Sequence, residues 1–354
     1  MANTTIKTDT SGLTVDRYSQ YYSKRLLQHA IQLTRLQQFA SQFDLPMHTG
    51  STTLRMFRRS EADTDDVEPL SEGTISTDYT NSTLTQVDVT LGQYGEKVKI
   101  SDVRQETDLI NQLDLEVERM GENAALKVDD LLRDEIVSDG VYNGTTAITD
   151  SSMNIFCGHT TEVQDGKTEA NLETVWDSWK CGDEDDLKIA VDHLQKAVAY
   201  LNDMRAPKFA DGSYVAVLPP KMCYDLQNDS KWLNVNSYSN RERIYRGEIG
   251  EIMGVRVVMA TNEWKQLSSA ASFGTYSATG NVYMGVVLGR ESLGSVKLAG
   301  SKSPLSPSFM VLRNPDKSDP YNQLTVAAWK GYFAAKVLNR DYLAVIHGKS
   351  TYDA

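Results

Sequence analysis

Cysteine, histidine and carboxylate spacings decide first whether this chain can do chemistry. Cys157 and His159 stand two residues apart, which puts both on one side of a strand and offers half of a metal site. Structural zinc wants four ligands. None of His29, His48, His159, His193 and His347 has a second histidine or cysteine three or four residues away, so a packed loop is the expectation for 157–159. The run Asp183-Glu184-Asp185-Asp186 has the charge for calcium. It directly precedes a helical pattern, however, where carboxylates favour the positive end of the helix dipole. Glu61, Asp63, Asp65, Asp66 and Glu68 cluster without the D-x-D-x-D-G spacing of a calcium loop and read as a charged contact or a solvated arm. Gly289-Arg290-Glu291-Ser292-Leu293-Gly294 has the outer spacing of a phosphate loop but lacks the Lys and Ser/Thr after its second glycine. It reads as a turn between two strands. G-x-S-x-G, H-E-x-x-H, Walker A and G-x-G-x-x-G patterns do not occur. No catalytic residue, metal or cofactor is expected, and the chain does not read as an enzyme.

Composition narrows the class further. The 354 residues are 24% charged and 40% hydrophobic with a net charge of −12, a globular balance with room for two domains or for one domain with large excursions. No run approaches the roughly 18 to 20 apolar residues that span a bilayer, and 1–14 show no basic segment followed by an apolar stretch, so no signal peptide is expected. Cys157, Cys181 and Cys223 lack C-x-x-C spacing and read as reduced structural thiols. The acidic balance argues against a nucleic-acid reader, which needs a basic face to displace counterions. It leaves room for a wall that encloses nucleic acid without gripping it.

The elements that would position these residues come in an unusual order. Residues 18–43 read as a helix, with Leu26, Ala30, Leu33, Leu36 and Ala40 recurring at three and four. From 49 the pattern turns to β. A strand candidate at 52–59 carries Arg55, Arg58 and Arg59, an acidic outer part follows, and two strands at 85–91 and 96–100 are separated by a turn at Gly92–Gly95. A hairpin this long and polar is marginal alone. A single amphipathic helix is then expected over 102–139, with Asp102 as N-cap and Gln105 completing a capping box. Its stripe is Leu109, Leu113, Val117, Met120, Ala124, Val128 and Leu131, and Gly140 is the stop. The remainder mixes a helix at 186–204, a strand at 214–218 with a helix after Pro219-Pro220, strands at 254–259 and 282–288, a Ser/Gly loop at 267–281, and closing β segments at 325–338 and 343–346. The fold class is α+β. An extended arm and a long strut have little to bury by themselves, which points to a subunit that completes itself on other copies.

The ordered set Tyr214-Val215-Ala216-Val217-Leu218-Pro219, Lys231-Trp232, Gly247-Glu248-Ile249-Gly250, Gly254-Val255-Arg256-Val257-Val258 and Ala328-Trp329-Lys330-Gly331-Tyr332 resembles major capsid proteins of tailed phages. In particular, it resembles the coat family of the N-four-like phages. It implies the Hong Kong 97-type capsid fold: an N-terminal arm with a helix (1–46), an extended β-hairpin loop (47–101), a spine helix and peripheral domain (102–185), a mainly axial domain (186–320) and C-terminal strands returning to the peripheral domain (321–354). It also implies hexamers and pentamers that close an icosahedral shell around double-stranded DNA, in a virion assembled in the host cytoplasm. A separate scaffolding protein and a portal would be partners, a decoration protein a further one, and a membrane none. Arg55, Arg58, Arg59, Glu61, Asp63, Asp65, Asp66 and Glu68 would be inter-subunit contacts, setting register and on-rate more than affinity. No lysine lies between Lys24 and Lys97, so no lysine-based covalent mesh is expected from the hairpin. An encapsulin-like compartment shell is the alternative within the same fold. A carbohydrate-active or adhesin-type domain is the alternative outside it.

Overall fold

The computed structural model describes residues 34–48, 50–59, 83–108, 112–138, 153–157, 188–232, 248–260, 283–299, 308–312, 321 and 323–353. Its strands are β1 (Ser41–Leu45), β2 (Thr53–Arg59), β3 (Leu84–Thr90), β4 (Gly92–Ser101), β5 (Met153–Phe156), β6 (Tyr214–Leu218), β7 (Glu248–Ile252), β8 (Val255–Met259), β9 (Tyr283–Leu288), β10 (Leu293–Leu298), β11 (Ser308–Leu312), β12 (Leu324–Val337) and β13 (Leu343–Gly348). Its helices are α1 (Asp102–Thr107), α2 (Gln112–Ser138), α3 (Val191–Asp203) and α4 (Pro220–Gln227). Short 3-10 turns stand at Leu36–Gln38 and Thr351–Asp353.

The long strand β12 organises one sheet. β4 lies antiparallel along one of its edges from Leu324↔Ser101 to Phe333↔Gly92, while β11 and β10 pair end to end along the other, and β1 adds in parallel to β10. A second sheet of six strands runs in the order β5-β13-β9-β6-β8-β7. Its β6 reads Tyr-Val-Ala-Val-Leu and is buried throughout, as a strand covered on both faces must be. One face, with Tyr214, Ala216 and Leu218, packs on α3 and α4 through Leu194, Leu201, Met222 and Leu226. The opposite face, with Val215, Val217, Val286 and Val345, packs on the C-terminal half of α2.

α2 joins the two sheets. At 1.5 Å per residue its 27 residues reach about 40 Å. Leu113, Val117, Met120 and Ala124 pack on Ile100, Phe309, Ala327 and Trp329 of the five-stranded sheet. One turn later Val128, Leu132 and Ile136 reach the six-stranded sheet. The larger members, such as Val117, Met120 and Leu132, are fully buried and contribute about 1.5–3 kcal/mol each.

Several expectations are corrected. The helix expected over 18–43 fails in its described part: 36–38 is a 3-10 turn and 41–45 is a strand. Leu36 and Ala40 meet the helical spacing by packing against α2. Ser41 to Leu45 instead pair with β10, a tertiary partner that outweighs local propensity. The helix expected without a break over 102–139 is broken. Asp108 turns extended at ψ 140, Thr107 Oγ1 donates to the Val103 carbonyl at 2.6 Å, and Gln112 Nε2 donates to Asp108 Oδ2. Short polar side chains that compete for local partners end the first helix. Its N-cap is Ser101, whose Oγ accepts the Arg104 N–H at 3.3 Å, so Asp102 is the first helical residue. The buried stripe continues through Leu132 and Ile136 where Leu131 was expected. The expected turn at 92–95 is extended strand within β4. Gly95 is required by close approach, since a Cβ there would lie 2.6 Å from the Trp329 carbonyl oxygen. The helix expected from 186 starts at Val191, because Lys188 bridges to Lys349 and His193 Nδ1 accepts the Ala190 N–H at 3.0 Å. The consecutive domain segments interleave: β10 and β11 join β4 and β12, whereas β13 sits in the middle of the six-stranded sheet. The helix over 18–33, the stop at Gly140, Asp183–Asp186 and the 267–281 loop lie outside the described residues.

Candidate assembly surface

The basic root of the arm is where the sequence placed its contacts. β2 and β3 pair from Thr53↔Thr90 to Arg59↔Leu84, and alternation sorts their side chains onto two faces. Leu54, Met56, Val87 and Val89 turn inward onto Leu45, Val296 and Ala334. Arg55, Phe57 and Arg59 share the outer face with Leu84, Gln86 and Asp88. Arg55 Nε donates to Asp88 Oδ1 at 3.1 Å directly across the ladder, and Gln86 Nε2 donates to Asp88 Oδ2 at 2.7 Å. The Thr53 and Thr90 hydroxyls meet at 3.2 Å.

Two apolar side chains stand among these polar ones. Phe57 is 62% exposed and Leu84 66%, and the register makes them diagonal neighbours, within reach of each other. The charges dominate this segment in sequence, and nothing in composition singles out this pair. The signal was present in the alternation of 53–59, where Leu54 and Met56 fall on one face and Phe57 falls with the arginines on the other.

The three arginines divide. Arg55 and Arg59 point outward with Phe57, whereas Arg58 has inward parity and donates to Asn339 Oδ1 in the loop after β12. Asn339 is buried and also accepts the Asp341 N–H at 3.2 Å. A groove of about 830 Å³ lies between hairpin and body there, with Phe43, Met56, Arg58, Asn339 and Asp341 in its walls. Glu61, Asp63, Asp65, Asp66 and Glu68 lie outside the described residues.

A surface of opposite sign lies along α2. Leu115 is 44% exposed, and Glu122, two turns further along the helix, is exposed on the same side. Arg119 pairs with Glu116 at 2.8 Å, and Arg133 pairs with Asp130 at 3.1 Å and Asp134 at 2.8 Å.

Among the described residues no group of three or more His, Cys, Asp or Glu is placed to hold a metal, and no helix is long and apolar enough to cross a membrane. Burial pushes the Cys157 thiol up and the Cys223 thiol up to about 12, which keeps both protonated and unreactive. His159 and Cys181 lie outside the described residues. Burial pushes His347 down to about 3. Residues 289–292 form the turn between β9 and β10, as expected, with Ser292 Oγ closing it on the Gly289 carbonyl at 2.8 Å.

Comparison with solved structures places this geometry. The capsid of the cyanophage P-SCSP1u aligns at 14% identity with a TM-score of 0.59, covering 90% of this chain and 89% of that one. The capsid of the Ralstonia phage GP4 aligns at 12% identity with a TM-score of 0.62, over 88% and 87%. The head of the Helicobacter pylori bacteriophage KHP40 aligns at 12% identity with a TM-score of 0.56, over 87% of each. The fold is therefore that of Hong Kong 97-type phage capsid proteins, as the resemblance implied. No curated protein sequence matches. The phage capsid protein family matches residues 84–348, from the returning strand of the hairpin to the end of β13, and the chain belongs to that family.

Proposed function

We propose that copies of this chain form hexamers and pentamers that close an icosahedral shell around double-stranded DNA, with the β2–β3 hairpin lying across a neighbouring copy. The observation that carries this reading is the two-faced hairpin. Its inner face is already buried on its own body, so the exposed Phe57–Leu84 pair, flanked by Arg55 and Arg59, is left for another surface. The outer side of a neighbour's α2, where the exposed Leu115 stands on a helix with more acids than bases, offers an apolar spot and the opposite charge. The sheet built on β12 together with α2 takes the peripheral role. The six-stranded sheet with α3 and α4 takes the axial role at the vertices. The net charge of −12 suits a wall that holds DNA by enclosure. The acidic stretch from Glu61 to Glu68 extends the hairpin's contact with the neighbour, a scaffolding protein and a portal complete assembly in the host cytoplasm, and the order of the 214–219, 247–250 and 328–332 segments supports an N-four-like member.

The test is Phe57→Ser with Leu84→Ser in purified protein, followed by size-exclusion chromatography and negative-stain microscopy. Losing a central apolar anchor costs about 2 kcal/mol per contact, about a 30-fold rise in the concentration needed for assembly. The variant should keep its melting temperature and lose rings and shells at concentrations where the parent forms them. Normal assembly by the double variant would refute the role of this face.

A further inference from the structure

Away from α2, the five-stranded sheet has a second face that the hairpin covers at one end only. Alternation along β4 and β12 sends Val98, Ile100, Ala327 and Trp329 to the helix and the residues between them to the other side. Register then assembles that side. Lys99 stands opposite Val326, and Lys97 opposite Ala328. Met310 of β11 flanks Ala328 on its other edge, and Lys330 is the next residue of that parity along β12. Ala334 closes one end of the face beneath Val89 of the hairpin. The other end is open, with Leu324 41% exposed and Met310 49%. Lys97 and Lys99 are exposed and make no ion pair among the described residues. Lys330 lies over the Tyr332 ring at 5.4 Å. Among the described residues of β4, β11 and β12 no acid shares this face. Glu96 has the opposite parity and is held by Asn123 at 3.1 Å and Arg119 at 3.7 Å.

We propose that this face receives the acidic segment 61–70 of a second copy. Its carboxylates meet Lys97, Lys99 and Lys330, and Val67 and Leu70 lie on the apolar strip around Met310 and Leu324. The inference rests on the assembly reading above and adds the surface that takes the hairpin's acidic end. Charge selects the occupant. Five of the eight residues from Glu61 to Glu68 are acids, and no lysine or arginine occurs from Ser60 to Glu96. Every copy thus brings one acidic segment and one basic face. Such a contact is heterologous, the kind that closes into rings when the rotation allows. Reach permits it as well. Leu113 and Ile100 pack together, so Leu115 and Lys99 stand at the same end of the body. β4 is the outer strand beside β12 among the described residues, so only its edge separates the helix side from the lysine side. The chain from Phe57 to Glu68 spans up to about 40 Å, enough to pass from a neighbour's Leu115 around that edge.

Sedimentation velocity of the full chain over a concentration series tests this, with the melting temperature of each variant as a check on its fold. Lys97→Glu with Lys99→Glu, and separately Asp65→Lys with Asp66→Lys, should each raise the concentration at which copies associate by about tenfold. Combining all four substitutions restores opposite charges, and association should return to within about threefold of the parent. A chain that had merely misfolded would show no such recovery. An unchanged threshold in either double variant, or a combined variant no better than the doubles, would overturn the inference. So would a Lys97→Glu, Lys99→Glu chain that loses binding to a short DNA duplex while its self-association holds. Charge variants that associate normally, beside a Phe57→Ser, Leu84→Ser variant that does not, would sink this inference and leave the assembly reading standing. A parent that stays monomeric at every concentration would refute both.

Discussion

His347 should give the fold an acid-sensitive component that one substitution can isolate. It lies in β13 at 0% exposure, opposite Phe156 of β5 and Met284 of β9, and its carbonyl accepts the Cys157 N–H at 2.9 Å. Burial lowers the imidazole from 6.5 to about 3. The unfolded chain therefore takes up a proton first as pH falls. The contribution to stability is whole above about pH 6.5 and is lost progressively toward pH 3. At pH 5 the loss relative to pH 7 is about 2 kcal/mol. Urea unfolding of unassembled His347→Gln at pH 7 and pH 5 isolates it. The variant will be less stable at both pH values because a buried side chain has changed, but the quantity read is the difference between them. That difference should move in the stabilising direction by about 2 kcal/mol relative to the parent. Carboxylates are common to both proteins and drop out. Equal differences in parent and variant would refute a neutral, buried His347.

Two further substitutions test local geometry. Gly95→Ala places a methyl group 2.6 Å from a backbone oxygen of β12, so β4 and β12 must part. A loss of about 2 kcal/mol in urea unfolding is expected, against a smaller loss for Gly92→Ala, whose methyl meets the movable Tyr94 ring. Ser101→Ala removes the side chain that caps α1 and should cost about 1 kcal/mol. The same measurement on Asp102→Asn should show a smaller loss if Ser101 is the cap.

The sequence was most legible where one face of an element meets one partner. Tyr214 to Leu218 are apolar in succession and could only be a covered strand. The stripe from Leu113 to Val128 kept its spacing through Gly121 because packing outweighs a single glycine. Legibility failed where tertiary partners decide. Ser41 to Phe43, expected to close a helix, instead begin a strand because β10 offers a parallel edge. Gly92 and Gly95 carry the signal of a turn, yet one of them is there so that two strands can approach. At the candidate surface the arginines were visible as a basic cluster, but their division into outward Arg55 and Arg59 and inward Arg58 follows from register, which composition does not contain. Asp129 was hidden for a similar reason. On a helix with so many acids, nothing local distinguishes the one that is buried and accepts the distant Arg35 N–H.

β12 explains why the hairpin and the spine helix act as one unit. Its odd-numbered residues face α2: Ala327 and Trp329 meet the helix's first half, and Phe333 and Val337 meet its second. Ala334, of opposite parity, faces Leu45 and Val89 beneath the hairpin. The strand is thus held between the helix on one side and the hairpin on the other, with β4 bonded along its edge from Leu324 to Phe333. A load applied to the outer face of the hairpin passes through Val89 and Ala334 into a strand whose next side chain, Phe333, rests in the cluster around Val128 and Leu132. Packed interiors of this kind transmit displacement and absorb little of it. A neighbour seated on Phe57 and Leu84 would therefore be felt at the junction of the two sheets, which is also where Asp129 holds the turn before β1.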